Sequence, residues 1–167
     1  MTENIEESQR EALSSLILRR SAEIEERWLQ TVLKDVAGLE VSLTDLRDAM
    51  ANYIARLAEG LRAATRGELA ERGKHAWVDL VREHAVTRVR LGFDISQLVH
   101  EFIVLRRTLS DVVREEGLLG GPEAQILAEL IEAGIGESVS AYVDSRDFSA
   151  RQSEARHLGF ITHELRN

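Results

Sequence analysis

Apolar residues recur at every third or fourth position through most of the 167-residue chain. This spacing places the apolar side chains on one face of an α-helix, which can then pack against a hydrophobic core. The chain contains a single proline and long stretches without helix-breaking residues. We therefore predict an all-α fold in which several amphipathic helices pack together as a bundle.

The front of the chain predicts two helices. The first runs from about Glu6 to Val36, with Gly38 as its stop. The second begins at Thr44, whose hydroxyl can accept a hydrogen bond from a free N–H of the first turn, and it ends at Gly67. Their apolar faces consist of Leu13, Ile17, Ile24, Trp28, Val32 and Val36 in the first helix and of Leu46, Met50, Tyr53, Ile54, Leu57 and Leu61 in the second.

The middle of the chain predicts two more helices joined by a tight turn. Gly92 can adopt a positive φ, and Asp94 can cap the next helix. One face of the third helix carries Trp77, Leu80, Val81, His84, Ala85 and Arg88, and the fourth carries Ile95, Leu98, Val99, Phe102, Leu105, Leu109, Val112 and Val113. Because Trp28, Trp77 and Phe102 lie centrally on three separate faces, we expect them to anchor the core.

A last helix is predicted from Pro122, which lacks an N–H and is therefore tolerated in the first turn. Continued to Asn167, this helix has ~46 residues and a length of about 70 Å. It must then project from a small domain, and its far half has too little apolar surface to be stable alone. We expect it to pair with a copy of itself in a parallel, dimeric coiled coil. Its predicted apolar stripe consists of Ile131, Ile135, Val139 and either Tyr142 or Val143, and resumes at Leu158.

Charge and composition narrow the classes of partner. The formal net charge is −8, which argues against nucleic acid or an anionic membrane as the main partner. The chain has no cysteine, so that a disulfide framework and a thiolate metal site are both excluded. No apolar run approaches the ~20 residues that a membrane span requires. We expect a cytoplasmic protein without a metal site.

A histidine on an apolar helix face is either a ligand or a hydrogen-bonded member of the core. His84 lies on such a face, and we expect the hydrogen-bonded core role. The alternative is that His84 or His100 is the axial ligand of a haem.

The chain ends in a motif with potential for phosphoryl transfer, Phe160-Ile-Thr-His163-Glu164-Leu165-Arg166-Asn167. A neutral imidazole is nucleophilic, and a carboxylate beside it can take the proton from its other nitrogen. The motif resembles the H-box of sensor histidine kinases of the HisKA type. The resemblance implies that His163 is the phosphoacceptor, that Glu164 is its general base and that Asn167 positions a water for phosphatase activity.

The H-box resemblance also implies partners outside this chain. A kinase of this class is a homodimer that phosphorylates a response regulator, and its own ATP-binding domain uses ATP and Mg²⁺. The Asn box and glycine-rich boxes of that domain are absent, so we expect the chain to be a piece of a longer kinase, without a cofactor of its own and inactive alone.

A second resemblance covers roughly residues 10 to 115. It rests on the segments Leu18–Trp28, Val81–Phe93 and Glu101–Arg107, with Leu98 between the last two. These are similar to the N-terminal domain of RsbRD-type co-antagonists of the stressosome. The resemblance implies an all-helical, non-haem, globin-like sensor module. Residues 1–120 are then a helical sensor domain, and residues 121–167 are a long signalling helix that ends in the H-box.

Three functions remain open from the sequence. The first is the sensor and phosphoacceptor segment of a two-component histidine kinase, which relays a signal through the last helix to His163. The second is a non-enzymatic, dimeric, stressosome-like scaffold in which the H-box is inert. The third is a haem-binding globin-type sensor.

Overall fold

The computed structural model describes residues 2–34, 42–63, 68–117 and 122–164. These ranges fold into α-helices without a strand, as the sequence predicted. The helices are α1 (Thr2–Arg19), α2 (Ser21–Val32), α3 (Leu43–Ala63), α4 (Glu68–Arg90), α5 (Ile95–Glu115) and α6 (Pro122–Glu164).

The prediction of one continuous helix from about Glu6 to Val36 is wrong, because the chain forms two helices, α1 and α2, that are separated at Arg20. The backbone of Arg20 has φ −106° and ψ 17°, outside the helical range. Because of this break, α1 and α2 pack against different helices. The hydroxyl of Ser14 in α1 donates to the carbonyl of Ala58 in α3 at 2.8 Å, whereas the indole of Trp28 in α2 donates to the carbonyl of Glu101 in α5 at 3.1 Å. The described part of α2 ends at Val32, and Val36 and Gly38 lie outside the described residues.

The start of α3 also differs from the prediction. The amide of Leu46 donates to the carbonyl of Ser42 at 3.1 Å, so the helix begins one turn before Leu46. Thr44 therefore lies within the first turn and is not the cap. The predicted end at Gly67 lies outside the described residues, and α3 is described to Ala63.

The turn between α4 and α5 agrees with the prediction. Gly92 has φ +81°. The Asp94 side chain accepts from the amide of Gln97 at 2.8 Å, and the Gln97 side chain accepts from the amide of Asp94 at 2.9 Å. This reciprocal pair satisfies two N–H groups at the start of α5 and fixes where the helix begins.

The core forms along the inner faces of the helices. Trp28, Trp77 and Phe102 are all buried, as expected. Tyr53 of α3 lies among them, with ring centroids 5.1 Å from Trp77 and 5.7 Å from Phe102. Both contacts have the edge-to-face geometry that aromatic rings favour.

Helix α6 is continuous over 43 residues, with Pro122 in its first turn as predicted. Its buried side differs from the predicted stripe: Ile135 and Val139 are half-buried, and Val143 is exposed. The buried positions are Leu127, Ile131, Gly134, Ser138 and Tyr142. The stripe therefore includes two small residues, Gly134 and Ser138, which a search for apolar side chains passes over.

Gly134 explains why a small residue is needed there. A Cβ atom at this position would lie 3.1 Å from Cζ2 of Trp77 and 3.4 Å from the hydroxyl of Tyr53. The absent side chain lets α6 approach α4 closely. The first part of α6 thus belongs to the core formed by the other helices, whereas residues 143–154 are exposed except for the half-buried Ser145. The division of the chain at residue 120 stays a prediction.

Phe102 tests this account of the core. Phe102→Ala should lower the free energy of unfolding by roughly 3–5 kcal/mol, because it removes a buried ring that contacts both Tyr53 and His84. The measurement is urea denaturation monitored by far-UV circular dichroism. Leu43→Ala is the control, since Leu43 is 55% exposed. An equal loss in the two variants would contradict the assignment of Phe102 to the core.

Candidate functional site

A glutamate is buried on the inner face of α5. Glu101 is 2% exposed and lies on the same helical face as Leu98 and Leu105. Its Oε2 lies 2.9 Å from Nε2 of His84. Nε of Arg88 donates to both carboxylate oxygens at 2.9 Å. Because His84 and Arg88 are four residues apart on α4, they share one face and meet the same carboxylate.

Two further helices meet at this residue. The backbone carbonyl of Glu101 accepts the indole N–H of Trp28 from α2 at 3.1 Å. The Tyr53 ring of α3 lies 5.6 Å from the His84 ring, and Phe102 lies 5.6 Å from the same imidazole. Glu101 and its neighbours therefore join α2, α3, α4 and α5 at one point.

The protonation state of Glu101 is set by these contacts. Burial alone would raise its pKa, but the hydrogen bond and charge of His84 and the charge and hydrogen bond of Arg88 together hold the pKa below its usual value. An ionised carboxylate only accepts hydrogen bonds. We therefore assign the proton of the His84 contact to Nε2, which donates to Glu101.

Arg88 is fully buried, with 0% exposure. Its two terminal nitrogens, Nη1 and Nη2, have no hydrogen-bond partner among the described residues. The guanidinium carbon lies 5.0 Å from the centroid of the Phe93 ring, which supplies a cation–π contact. Glu101 is thus the carboxylate that neutralises a buried cation.

The network continues into α6. The hydroxyl of Tyr142 donates to the carbonyl of Phe93 at 2.9 Å, and the hydroxyl of Ser138 donates to the carbonyl of Val81 at 3.1 Å. The Arg88 guanidinium in turn packs on the ring of Phe93. A short path of contacts therefore leads from Glu101 through Arg88 and Phe93 to α6.

The structure confirms the hydrogen-bonded core role of His84. The space beside its ring measures about 170 Å³, less than the ~300–1,000 Å³ of typical cofactor pockets. Its Nε2 is already bonded to Glu101. His100 is half-buried and lies one position before Glu101, on a different side of α5. A haem at His84 or His100 stays an untested alternative.

The predicted phosphoacceptor residues lie at the far end of α6. The helical backbone reaches His163 and Glu164, and Asn167 lies outside the described residues. Twenty-one positions separate His163 from Tyr142, about 32 Å at ~1.5 Å per residue. His163 is therefore far from Glu101 and does not belong to the same site. Its role as the phosphoacceptor stays a prediction.

The sequence offered a signal for Glu101 that the prediction missed. Leu98, Glu101 and Leu105 keep the helical spacing, which places a carboxylate on an apolar face. His84 and Arg88 place two basic groups on the apolar face of another helix. Charges in such positions need partners, so the two faces predict an ion pair when they are considered together.

The described residues lack two further kinds of feature. No described helix holds a segment of the length and hydrophobicity that a bilayer crossing needs. Within the same part of the chain, no three His, Cys, Asp or Glu side chains are grouped so that they could hold a metal ion.

Acidification should reveal the role of Glu101. Because its pKa is lowered in the folded protein, its stabilising effect is complete above the usual value of 4.5 and is lost as the pH falls through the folded-state pKa. Glu101→Gln should lower the free energy of unfolding at pH 7 by up to about 3–5 kcal/mol, because it leaves Arg88 buried without a counter-ion. The difference from wild type should shrink below pH 4.5, as measured by urea titrations at a series of pH values.

Glu115 provides the control on the same helix. Hydrogen bonds from Arg27 and Arg20 at the surface lower the pKa of this carboxylate to about 2. Glu115→Gln should change stability far less at pH 7, since exposed pairs are screened by solvent. If the two variants were equally stable, the buried pair would not hold the helices together.

Comparison with known protein families gives one match, which covers most of the chain. The sequence matches the family model described as the RsbT co-antagonist protein RsbRD N-terminal domain over residues 22–157. No curated protein and no solved structure matches the chain. The match includes Glu101, His84 and Arg88 and ends before His163, so the H-box resemblance lies beyond it. Since the matched residues make up well over half of the sequence, the chain belongs to the family of RsbRD N-terminal domains.

Proposed function

We propose that this chain is a signal-input module in which the helical domain controls the position of α6, and α6 passes that position on to its far end. The observation that carries the proposal is the continuity of α6. One part of the helix is buried and bonded to the Glu101 network through Tyr142 and Phe93. The other part is exposed and helical to Glu164.

Membership of the RsbRD N-terminal domain family supports a sensor or scaffold role. In this proposal the domain acts on what lies C-terminal to it, and α6 is the described element that leads in that direction. The all-helical sensor module implied by the sequence resemblance agrees with this assignment.

Phosphoryl transfer at His163 is the output that the C-terminal motif favours. In this proposal a ring nitrogen of His163 attacks the terminal phosphorus of ATP, the bond from that phosphorus to the bridging oxygen breaks, and ADP leaves. Glu164 accepts the proton from the other ring nitrogen, and Asn167 positions water during dephosphorylation of a response regulator. ATP and Mg²⁺ are bound by an ATP-binding domain that is not part of these 167 residues.

A non-enzymatic scaffold is the second candidate. The extent of the family match favours it, since the match covers α2 to α5 and most of α6 but stops at residue 157. In this case the exposed part of α6 assembles with partner proteins, and His163 is not phosphorylated. The two candidates share the same input domain and differ only at the end of α6.

Both candidates use a homodimer formed along α6. Val143 is 45% exposed and Phe148 is 66% exposed on this helix. An isolated helical segment is only marginally stable in water, and burial of an apolar face is its usual source of stability. Pairing with a second copy along the face that carries Phe148 covers that side chain.

Dimerisation is tested by light scattering coupled to size-exclusion chromatography. The wild-type chain should have the mass of a dimer at high micromolar concentration, and Phe148→Glu should raise its dissociation constant by about tenfold or more, because the charge would be buried between the copies. Leu43→Glu is the matched control, since Leu43 is 55% exposed on α3. A wild-type monomer, or an equal effect of both variants, would contradict the pairing along α6.

Phosphorylation is tested with the chain joined to its own ATP-binding domain or supplied with it. Labelled phosphate should appear as acid-labile, base-stable phosphohistidine and should disappear in His163→Gln. Glu164→Ala should slow labelling by roughly 10²–10⁴-fold, as expected of a lost general base. Asn167→Ala should chiefly slow dephosphorylation of the response regulator.

The other four histidines, His75, His84, His100 and His157, are internal controls and should stay unlabelled. Label that survives in His163→Gln would refute the assignment. A wild-type chain that is never labelled, beside an ATP-binding domain with measurable ATPase activity, would favour the scaffold.

A further inference from the structure

An open groove of about 960 Å³ lies between the end of α4 and the exposed part of α6. Its apolar lining consists of half-buried Val86 and Val89 on α4, half-buried Ala141 on α6, and Phe148, which is 66% exposed. We propose that α6 of a second copy of the chain occupies this groove, so that α4 and α6 of both copies form a four-helix bundle about a twofold axis. The inference rests on the proposed function, because it adds α4 to the surface along which the two copies pair.

Charged side chains without a partner also line this groove. Arg90 of α4 and Arg146 and Asp144 of α6 are exposed, and none of the three forms a hydrogen bond or an ion pair with a described residue. Arg82, the remaining charged residue of the lining, already binds Glu137 at 3.1 Å. An occupant that matches the groove therefore presents acidic groups to the arginines and a basic group to Asp144.

Helices α4 and α6 run in the same direction along the groove. A Cβ atom on Gly134 would lie 3.1 Å from the Trp77 ring. Four residues later on both helices, the Ser138 hydroxyl donates to the carbonyl of Val81 at 3.1 Å. Neighbouring residues of the two helices are thus 57 positions apart in the sequence.

This register brings the arginine of one copy close to the aspartate of the other. Arg90 is level with Asp147 of its own copy, and Asp144 lies three positions away, about 4.5 Å along the axis. In a parallel pair of α6 helices, a twofold axis along the pair keeps equivalent residues at equal heights. Asp144 of the second copy therefore lies within one helical turn of Arg90, and the two side chains can form an ion pair between the copies.

The charge pattern favours a second copy over a different partner. An unrelated acidic segment would satisfy Arg90 and Arg146 but would place like charge against Asp144. A second copy supplies both signs, because twofold symmetry repeats each contact with the roles exchanged. These pairs also provide local attraction between two chains that each have a formal net charge of −8.

The bundle would connect the input domain of one copy to the signalling helix of the other. Helix α4 carries His84 and Arg88, which bind the buried carboxylate of Glu101. The same helix contributes Val89 and Arg90 to the groove. A shift of α4 would therefore act on α6 of its own copy and on α6 of the second copy.

Charge reversal in the full 167-residue chain tests the contact between copies. Arg90→Glu and Asp144→Arg should each raise the dissociation constant of the homodimer by about tenfold or more, because each substitution places like charges together twice across a twofold interface. The measurement is sedimentation equilibrium. Far-UV circular dichroism should show the wild-type helical signal in both variants, since both positions are exposed.

A mixture of the two variants separates this contact from a general loss of association. In a mixed dimer the two reversed charges face each other, and one native pair of Arg90 and Asp144 remains. An equimolar mixture should therefore associate with a dissociation constant close to that of wild type. Arg106→Glu is the matched control, since Arg106 is exposed on α5 outside the groove, and it should dimerise like wild type.

A mixture that associates as weakly as the separate variants would overturn the inference, and so would a wild-type dissociation constant in Arg90→Glu. In both cases the wild-type dimer along α6 would stand, so that the proposed function is unaffected. A wild-type chain that stays monomeric would overturn the groove and the homodimer together. Restored association in the mixture supports the bundle whether or not His163 is ever labelled.

Discussion

The fold depends on a buried carboxylate that has to be neutralised. Glu101 lies among Leu98, Phe102 and Leu105, where an unpaired charge would be very unfavourable. His84 and Arg88 of α4 are hydrogen-bonded to this carboxylate, and the indole of Trp28 in α2 donates to the backbone carbonyl of Glu101. Helix α4 packs mainly against α3 and α6, and α5 packs mainly against α2 and α6. The ion pair fixes the positions of α4 and α5 along each other, because a slide of one turn would leave a buried cation and a buried anion unpaired.

A network of this kind is a poor way to gain stability and a good way to fix one arrangement of helices. Replacement of a buried ion pair by well-packed apolar residues is often neutral or stabilising. The arrangement in this protein is also incomplete, since Nη1 and Nη2 of Arg88 have no partner among the described residues. These buried donors lose their hydrogen bonds to water on folding, so the network contributes less stability than a fully satisfied one would.

Much of the fold could be predicted from local patterns. The turn at Gly92 and Asp94 depends only on residues that are close in sequence, so it could be predicted locally. The same holds for the start of α6 at Pro122. The break at Arg20 could not be predicted in this way. Arginine is a good helix former, and the break depends on how α1 and α2 pack against different helices.

The same limit applies to the site. Ser42 and Thr44 both carry a hydroxyl that can cap a helix. The sequence alone could therefore not show which of the two lies immediately before α3. The position of Glu101 on an apolar face was visible in the sequence, but its partners on α4 became evident only in the three-dimensional structure. Ser138 was missed on α6 because a small polar residue at a close helix contact has no apolar side chain to detect.

The hydroxyl of Tyr142 has a mechanical consequence for α6. It is bonded to the carbonyl of Phe93, near the point where the helix passes from buried to exposed surface. Each residue turns the helix by ~100°, so the six positions from Tyr142 to Phe148 amount to about 600°, and the two side chains leave the axis roughly 120° apart. An unbroken helix keeps that angle fixed. The Tyr142 and Ser138 hydroxyls, together with the buried side chains before them, therefore fix the azimuth of the exposed part of α6. Any rotation of the buried part about the helix axis would be carried unchanged to the distal end.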